Sequence, residues 1–174
     1  MTVNEKDNLL DELANKINEN YDKNDLLNPF GKNNLPDREK IIHIIKAIKR
    51  LMFPGYFGQG EFEKSSSRYF AGEMLSSVIA ELKTQVLVAL RYGSEVEKEC
   101  EELAKEAEGI CLDFAKKIPE IQKVLLTDIQ AAYDGDPASG SKEAIIFSYP
   151  GFNAIFVYRI AHELYLRGSP SFRG

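Results

Sequence analysis

Apolar residues recur along most of the chain three and four positions apart, the spacing that lines one face of a helix. No convincing pair of alternating strands interrupts them. The pattern predicts a first helix over residues 5–22, with Leu9, Leu10, Leu13 and Ile17 on one face. The stretch "NPFGKNNLPD" reads as loop. Pro36 suits the first turn of a second helix, and Asp37 and Glu39 suit its positive end. That helix carries Ile41, Ile44, Ile45, Ile48 and Met52 on one side and Lys46, Lys49 and Arg50 on the other.

"FPGYFGQGEFEKSSS" breaks the period and reads as a compact loop. Phe53, Tyr56, Phe57 and Phe62 are its anchors. They fold onto the core or, as the alternative, form a binding lip. A long helix over residues 67–92 follows, with Met74, Leu75, Val78, Ile79, Leu82, Val86 and Leu90 as its buried stripe. Gly93 fits its stop. Ser94 and Glu97 form a capping-box pattern for the next helix, whose inner face is Val96, Cys100, Leu103, Ile110 and Phe114. Its Glu- and Lys-rich side reads as a solvated face. Pro119 opens another helix that ends near Tyr133, before "DGDP". A short helix at residues 141–147 and an apolar one at 150–167 complete an all-α, antiparallel multi-helix bundle.

The apolar last helix is the feature composition must explain. Apolar residues are 44% of the chain and charged residues 28%, an ordinary globular balance over 174 residues. The last helix carries Arg159, His162 and Glu163, so a membrane span is not expected. A net charge of −5 argues against a general nucleic-acid surface. The first residues show no basic-then-apolar leader. Cys100 and Cys111 are eleven positions apart in a helical pattern, too far to bond within one straight helix. They point to a reducing, cytoplasmic setting.

Candidate chemistry is sparse. Glu39 and His43 stand four apart, which is one edge of a metal site. Carboxylate-bundle sites use Glu-x-x-His pairs, and no second half is present. Neither a metal nor a resident cofactor is expected. His43 falls on the Lys-rich side and reads as an exposed surface histidine. His162, three residues after Arg159, reads as a buried or interface histidine with a hydrogen-bond partner. Glu163 lies four after Arg159 and four before Arg167, an ion-pair stripe. No phosphate loop and no nucleophile–base set is present.

Residues 128–168 say more. "DIQAAYDGDPA", "YPGFNA" and "YRIAHELYLRG" occur in that order, and together they resemble the N-terminal helical region of serine acetyltransferases. The resemblance covers about a quarter of the chain; the preceding helices and "FPGYFG" resemble a longer N-terminal version found in part of the family. It implies transfer of an acetyl group from acetyl-CoA to the hydroxyl of L-serine, a step of cysteine biosynthesis. It implies that a β-helix of hexapeptide repeats follows, holding acetyl-CoA and a catalytic histidine that acts as general base. It implies that the helical region packs subunits into a homo-oligomer.

The family's Asp-Pro-Ala aspartate, which helps hold serine, matches Asp136. Read from the residues alone, Asp136 sits in an exposed turn before Pro137 and caps the helix that follows. Under the resemblance its carboxylate pairs with the substrate ammonium. Asp128 and Asp134 are possible helpers or structural residues. Asn153 stands where family members often carry histidine. The chain contains no hexapeptide repeat, so general base and CoA groove are expected to lie outside it. The organisation expected is an extension at residues 1–35, the helical domain at 36–168 and a tail at 169–174. The chain reads as a fragment, truncated product or excised domain of the family, inactive by itself, its apolar last helix lying at a junction with other subunits. The alternative is a stand-alone helical module that binds a partner through that helix.

Overall fold

The computed structural model describes residues 3–24, 27, 35–57, 66–93 and 99–168. Within them every regular element is a helix: α1 (Val3–Lys23), α2 (Arg38–Met52), α3 (Pro54–Phe57), α4 (Ser67–Gly93), α5 (Cys100–Gly135), α6 (Lys142–Ser148) and α7 (Pro150–Arg167). The all-α expectation holds. The chain divides into two units, Met1–Leu35 and Pro36–Gly174.

The first unit holds α1. Its pairs Lys16–Glu12 and Lys23–Glu19 follow the four-residue spacing that supports a solvated helix. Leu9, Leu10, Leu13 and Ile17 are all exposed.

In the second unit, α5 is the organising element. It runs 36 residues, about 54 Å at 1.5 Å per residue. Leu103, Ala107, Ile110, Cys111, Phe114, Ile118, Ile121, Leu125 and Ile129 recur every three or four positions and are all buried. α4 packs on this seam, α2 on α4, and α6 and α7 on α5. The facing residues are Val78, Leu82, Val86 and Leu90 from α4, Ile44, Ile48 and Met52 from α2, Ile145 and Ile146 from α6, and Phe152, Phe156 and Ile160 from α7.

The sequence reading cut α5 in two at Pro119; the structure keeps one helix through it. Proline removes one backbone hydrogen bond and costs about 3 kcal/mol inside a helix. Ile118 and Ile121 on either side are buried, and each contributes about 1.5–3 kcal/mol. Burial on both sides of the proline therefore outweighs the break. Cys100, expected on the inner face, lies exposed at the start of α5. Val96 and the proposed Ser94–Glu97 capping box lie outside the described residues, as do Phe62, most of "NPFGKNNLPD" and residues 169–174; Glu99 is the N-cap of α5.

Polar contacts fix the ends of α2. Asp37 caps it by accepting from the Glu39 and Lys40 amides. The Asp37 amide donates to Oε1 of buried Gln85 on α4, 2.8 Å away. At the other end, Gln122 Nε2 on α5 donates to the Met52 carbonyl at 2.8 Å. The chain then turns into α3, with Phe53 buried and edge-on to Phe152 at 5.9 Å. Phe53 thus folds onto the core, and Tyr56 and Phe57 pack against it.

The two thiols report this register. Burial pushes the Cys111 thiol up to about 11, whereas Cys100 is exposed. Reaction of the folded chain with a colorimetric disulfide reagent should therefore consume one thiol quickly. The second should react only as denaturant unfolds the chain.

Candidate functional site

The stretch carrying Asp136 is built by three helix ends. α5 terminates at Gly135, and Asp136 follows with φ −119° and ψ 100°, the extended backbone a residue before proline adopts. The Asp136 carbonyl accepts from the Ser139 amide at 2.9 Å, closing a turn with Pro137 at its second position. Ser139 Oγ, 2.7 Å from the same carbonyl, reinforces it. Oδ1 of Asp136 accepts from the Ala138 amide at 2.9 Å.

Its other oxygen faces away from this turn. Tyr149 lies between α6 and α7, and its hydroxyl donates to Asp136 Oδ2 at 3.0 Å. That hydrogen bond, with some burial and the nearby negative charge, pushes the Tyr149 phenol above its ordinary value. The carboxylate is half-buried rather than fully exposed. Each of its oxygens holds one donor and has a lone pair to spare. It is a positioned anion able to accept from a cationic group. It does not cap α6; Ser141 does, accepting from the Ala144 amide.

The other aspartates have structural duties. Asp128 grips Arg159 through two bonds of 2.5 and 2.6 Å, a fork that ties α5 to α7. The hydrogen bond to Asp128 holds the guanidinium still more firmly protonated. Asp134 accepts from Gln130 one turn back, at 2.7 Å.

The stripe read along the last helix is half present. Glu163 pairs with Arg167, but Arg159 turns to Asp128 instead. His162 is exposed, not buried, and stacks on Tyr158 with centroids 5.7 Å apart. His43 is exposed as expected and lies 3.6 Å from Glu81 of α4. Glu39 pairs with Arg38, so the Glu39–His43 edge is not assembled. Among the described residues, no group of three His, Cys, Asp or Glu side chains could hold a metal ion.

Sequence reasoning missed the Tyr149 partner, thirteen residues from Asp136. It also placed Lys49 with Lys46 and Arg50 on the side of α2 opposite its apolar stripe, with no partner named. Lys49 Nζ instead donates to Asn153 Oδ1 at 3.1 Å, joining α2 to α7. Asn153 suits this contact because its amide oxygen accepts, as a protonated histidine cannot.

The family described as "Serine acetyltransferase, N-terminal" matches residues 66–156, from the turn before α4 into α7. The chain belongs to the serine acetyltransferase family and contains its N-terminal domain. It is 35% identical to the plasmid serine acetyltransferase of Synechococcus elongatus over 140 residues, which cover 78% of this chain and 44% of that protein. A 45-residue match to the serine acetyltransferase of Bacillus subtilis is 44% identical and covers 26% of this chain and 21% of that one. The fold resembles native serine acetyltransferase 1 of Entamoeba histolytica, with a TM-score of 0.57 and 31% identity over 72% of this chain and 41% of the other. It also resembles isoform 3 of that organism, solved in complex with cysteine, with a TM-score of 0.56, 26% identity and coverage of 72% and 39%. The chain thus spans under half the length of these family members.

The Tyr149–Asp136 contact gives this site a spectroscopic handle. Of the eight tyrosines, one should ionise above the ordinary phenol range near 10 in an ultraviolet titration, and Asp136→Asn should bring it back down. Because the folded value is raised, the stability this contact contributes is fully present below pH ~10 and is lost as pH rises through the folded value. Asp136→Asn should therefore flatten the alkaline limb of the stability curve, read by chemical denaturation.

Proposed function

We propose that this chain is the helical part of an enzyme that transfers the acetyl group of acetyl-CoA to the hydroxyl of L-serine, and that Asp136 accepts from the serine ammonium. The observation that carries this reading is the carboxylate itself. It sits inside the family-matched span, held from two directions by the Ala138 amide and the Tyr149 hydroxyl, with acceptor capacity left over. Such a group loses little entropy on binding a cation, because its geometry is already set. General base and acetyl-CoA site are assigned to a hexapeptide-repeat domain outside these 174 residues. The two free thiols fit a cytoplasmic setting.

Oligomer formation belongs to the same reading. Ile155, Tyr158, Tyr165 and Leu166 are exposed on α7, the two tyrosines opposite buried Phe152, Phe156 and Ile160 and the other two flanking that stripe. This second apolar side supports packing of α7 against another copy. A partner of different sequence on the same side is the alternative function, that of a non-catalytic interaction module. No single helix among the described residues is long and apolar enough to cross a membrane; α6 and α7 together are, but they are bent by 70°.

The first test joins this chain to the part of the Synechococcus serine acetyltransferase that lies beyond the 140 matched residues. The fusion should release CoA in a serine-dependent way, whereas the 174-residue chain alone should not. A hydrogen bond to a charged group contributes about 1.5–3 kcal/mol, so Asp136→Asn in the fusion should lower kcat/KM for serine roughly ten- to a hundredfold. KM for acetyl-CoA should stay unchanged. Equal loss for both substrates would remove Asp136 from the serine site.

The second test is sedimentation of the purified chain across concentration. It should self-associate, and Leu166→Glu should shift it to monomer. A monomer at every concentration would favour the alternative module.

A further inference from the structure

One cavity is lined by none of the residues of the Asp136 turn, and the acetyltransferase reading does not use it. It has a volume of about 660 Å³ and is bounded by α2, α3, α4 and α7. That falls within the ~300–1,000 Å³ typical of small-molecule sites. Phe57, Met74 and Ala47 supply apolar wall, and Lys46, Lys49 and Arg50 line one side. Glu81 is the one carboxylate among the described lining residues, and it lies against His43.

The cations here are incompletely satisfied. Lys49 is half-buried, and desolvation holds its ammonium below the usual lysine range. Its contacts are the Asn153 amide oxygen and the face of Phe57, 4.6 Å away, with the rings of Phe152 and Phe156 near 6 Å. Arg50 leans on the ring of Phe70 at 5.6 Å, and its Nε is shielded from water without a hydrogen-bond partner. Aromatic faces offset part of the cost of taking such charges out of water, but they do not neutralise it.

We propose that this cavity binds an organic phosphate: a dianionic head group seated among Lys46, Lys49 and Arg50, with an apolar body lying against Met74, Ala47 and the edge of Phe57, whose ring already meets Lys49 and Phe147. Among the described lining residues, three cations against one carboxylate leave room for about two negative charges, which a phosphate monoester carries near neutral pH. The guanidinium fork suits phosphate oxygens, and the lysines add point charges. A bare inorganic ion would leave the apolar wall uncovered, and a neutral aromatic would leave the cations unpaired.

The test uses the whole 174-residue chain and 1-naphthyl phosphate as probe, with 1-naphthol and inorganic phosphate as its two halves. Titration calorimetry should give one saturable site for the probe, at least ~tenfold tighter than either half, which is about 1.4 kcal/mol. Amide resonances of Phe57, Met74, Ser77 and Asn153 should shift. Lys46→Gln with Lys49→Gln should weaken the probe at least ~tenfold, with Lys46→Gln alone, on an exposed side chain, serving if the pair does not fold. Glu81→Gln should tighten it. Binding no tighter than 1-naphthol, resonance shifts elsewhere, or indifference to the lysine changes would each overturn the proposal. None of these readouts involves acetyl transfer, so failure here leaves the serine reading standing.

Discussion

The unbroken apolar seam of α5 is the constraint on which the second unit depends. A helix this long with one face from Leu103 to Ile129 apolar cannot hide that face by itself. It needs neighbours along its whole length, and α4, α6 and α7 supply them. Fully buried Phe114, Leu125 and Phe156 lie in this cluster, where packing is dense enough that a misplaced helix would open a void. The seam keeps the helix going through Pro119 as far as Ile129, and Pro137 then brings it to a stop after Gly135. The candidate serine-binding aspartate lies at that stop, at the end of the element that apolar packing holds in place.

Polar contacts then fasten what the seam brings together. The Asp128–Arg159 fork and the Tyr149–Asp136 bond both connect α5, or the turn after it, to the last part of the chain. Apolar burial is non-directional, whereas a two-pronged hydrogen bond also fixes an angle. Such half-buried pairs add register more than net stability. Tyr149 sits at the sharp joint between α6 and α7. Its hydroxyl therefore links the direction of α7 to the orientation of the Asp136 carboxylate.

α7 serves three surroundings at once. One side completes the core, one stays apolar towards solvent, and Asn153 near its start meets Lys49 of α2. This explains why so apolar a helix occurs in a chain of mean hydropathy −0.30. It also explains how a lysine from the basic side of α2 comes to line a cavity. Residues 66–156 matched by the family begin after α2, so Lys46, Lys49 and Arg50 lie outside the matched span while Asn153 lies inside it.

Apart from α3, which reads as loop, and the join at Pro119, the sequence by itself determined the helices, because their spacing is a local property: one apolar face every 3.6 residues writes itself into the chain. It determined the stripe of α4, the pairing of Glu163 with Arg167 one turn apart, and the Asp136-Pro137 turn, which follows from proline sterics. The ordered elements in residues 128–168 carried the family. Only the tertiary structure decided that Pro119 interrupts nothing, since that depends on what buries Ile118 and Ile121. Only it gave Arg159 to Asp128 instead of Glu163, His162 to solvent, and Tyr149 to Asp136. Arg159 is the clearest competition: Glu163 is its partner nearby in sequence, and Asp128 is the one brought close by packing. The pattern of one helix contains the first partner and not the second.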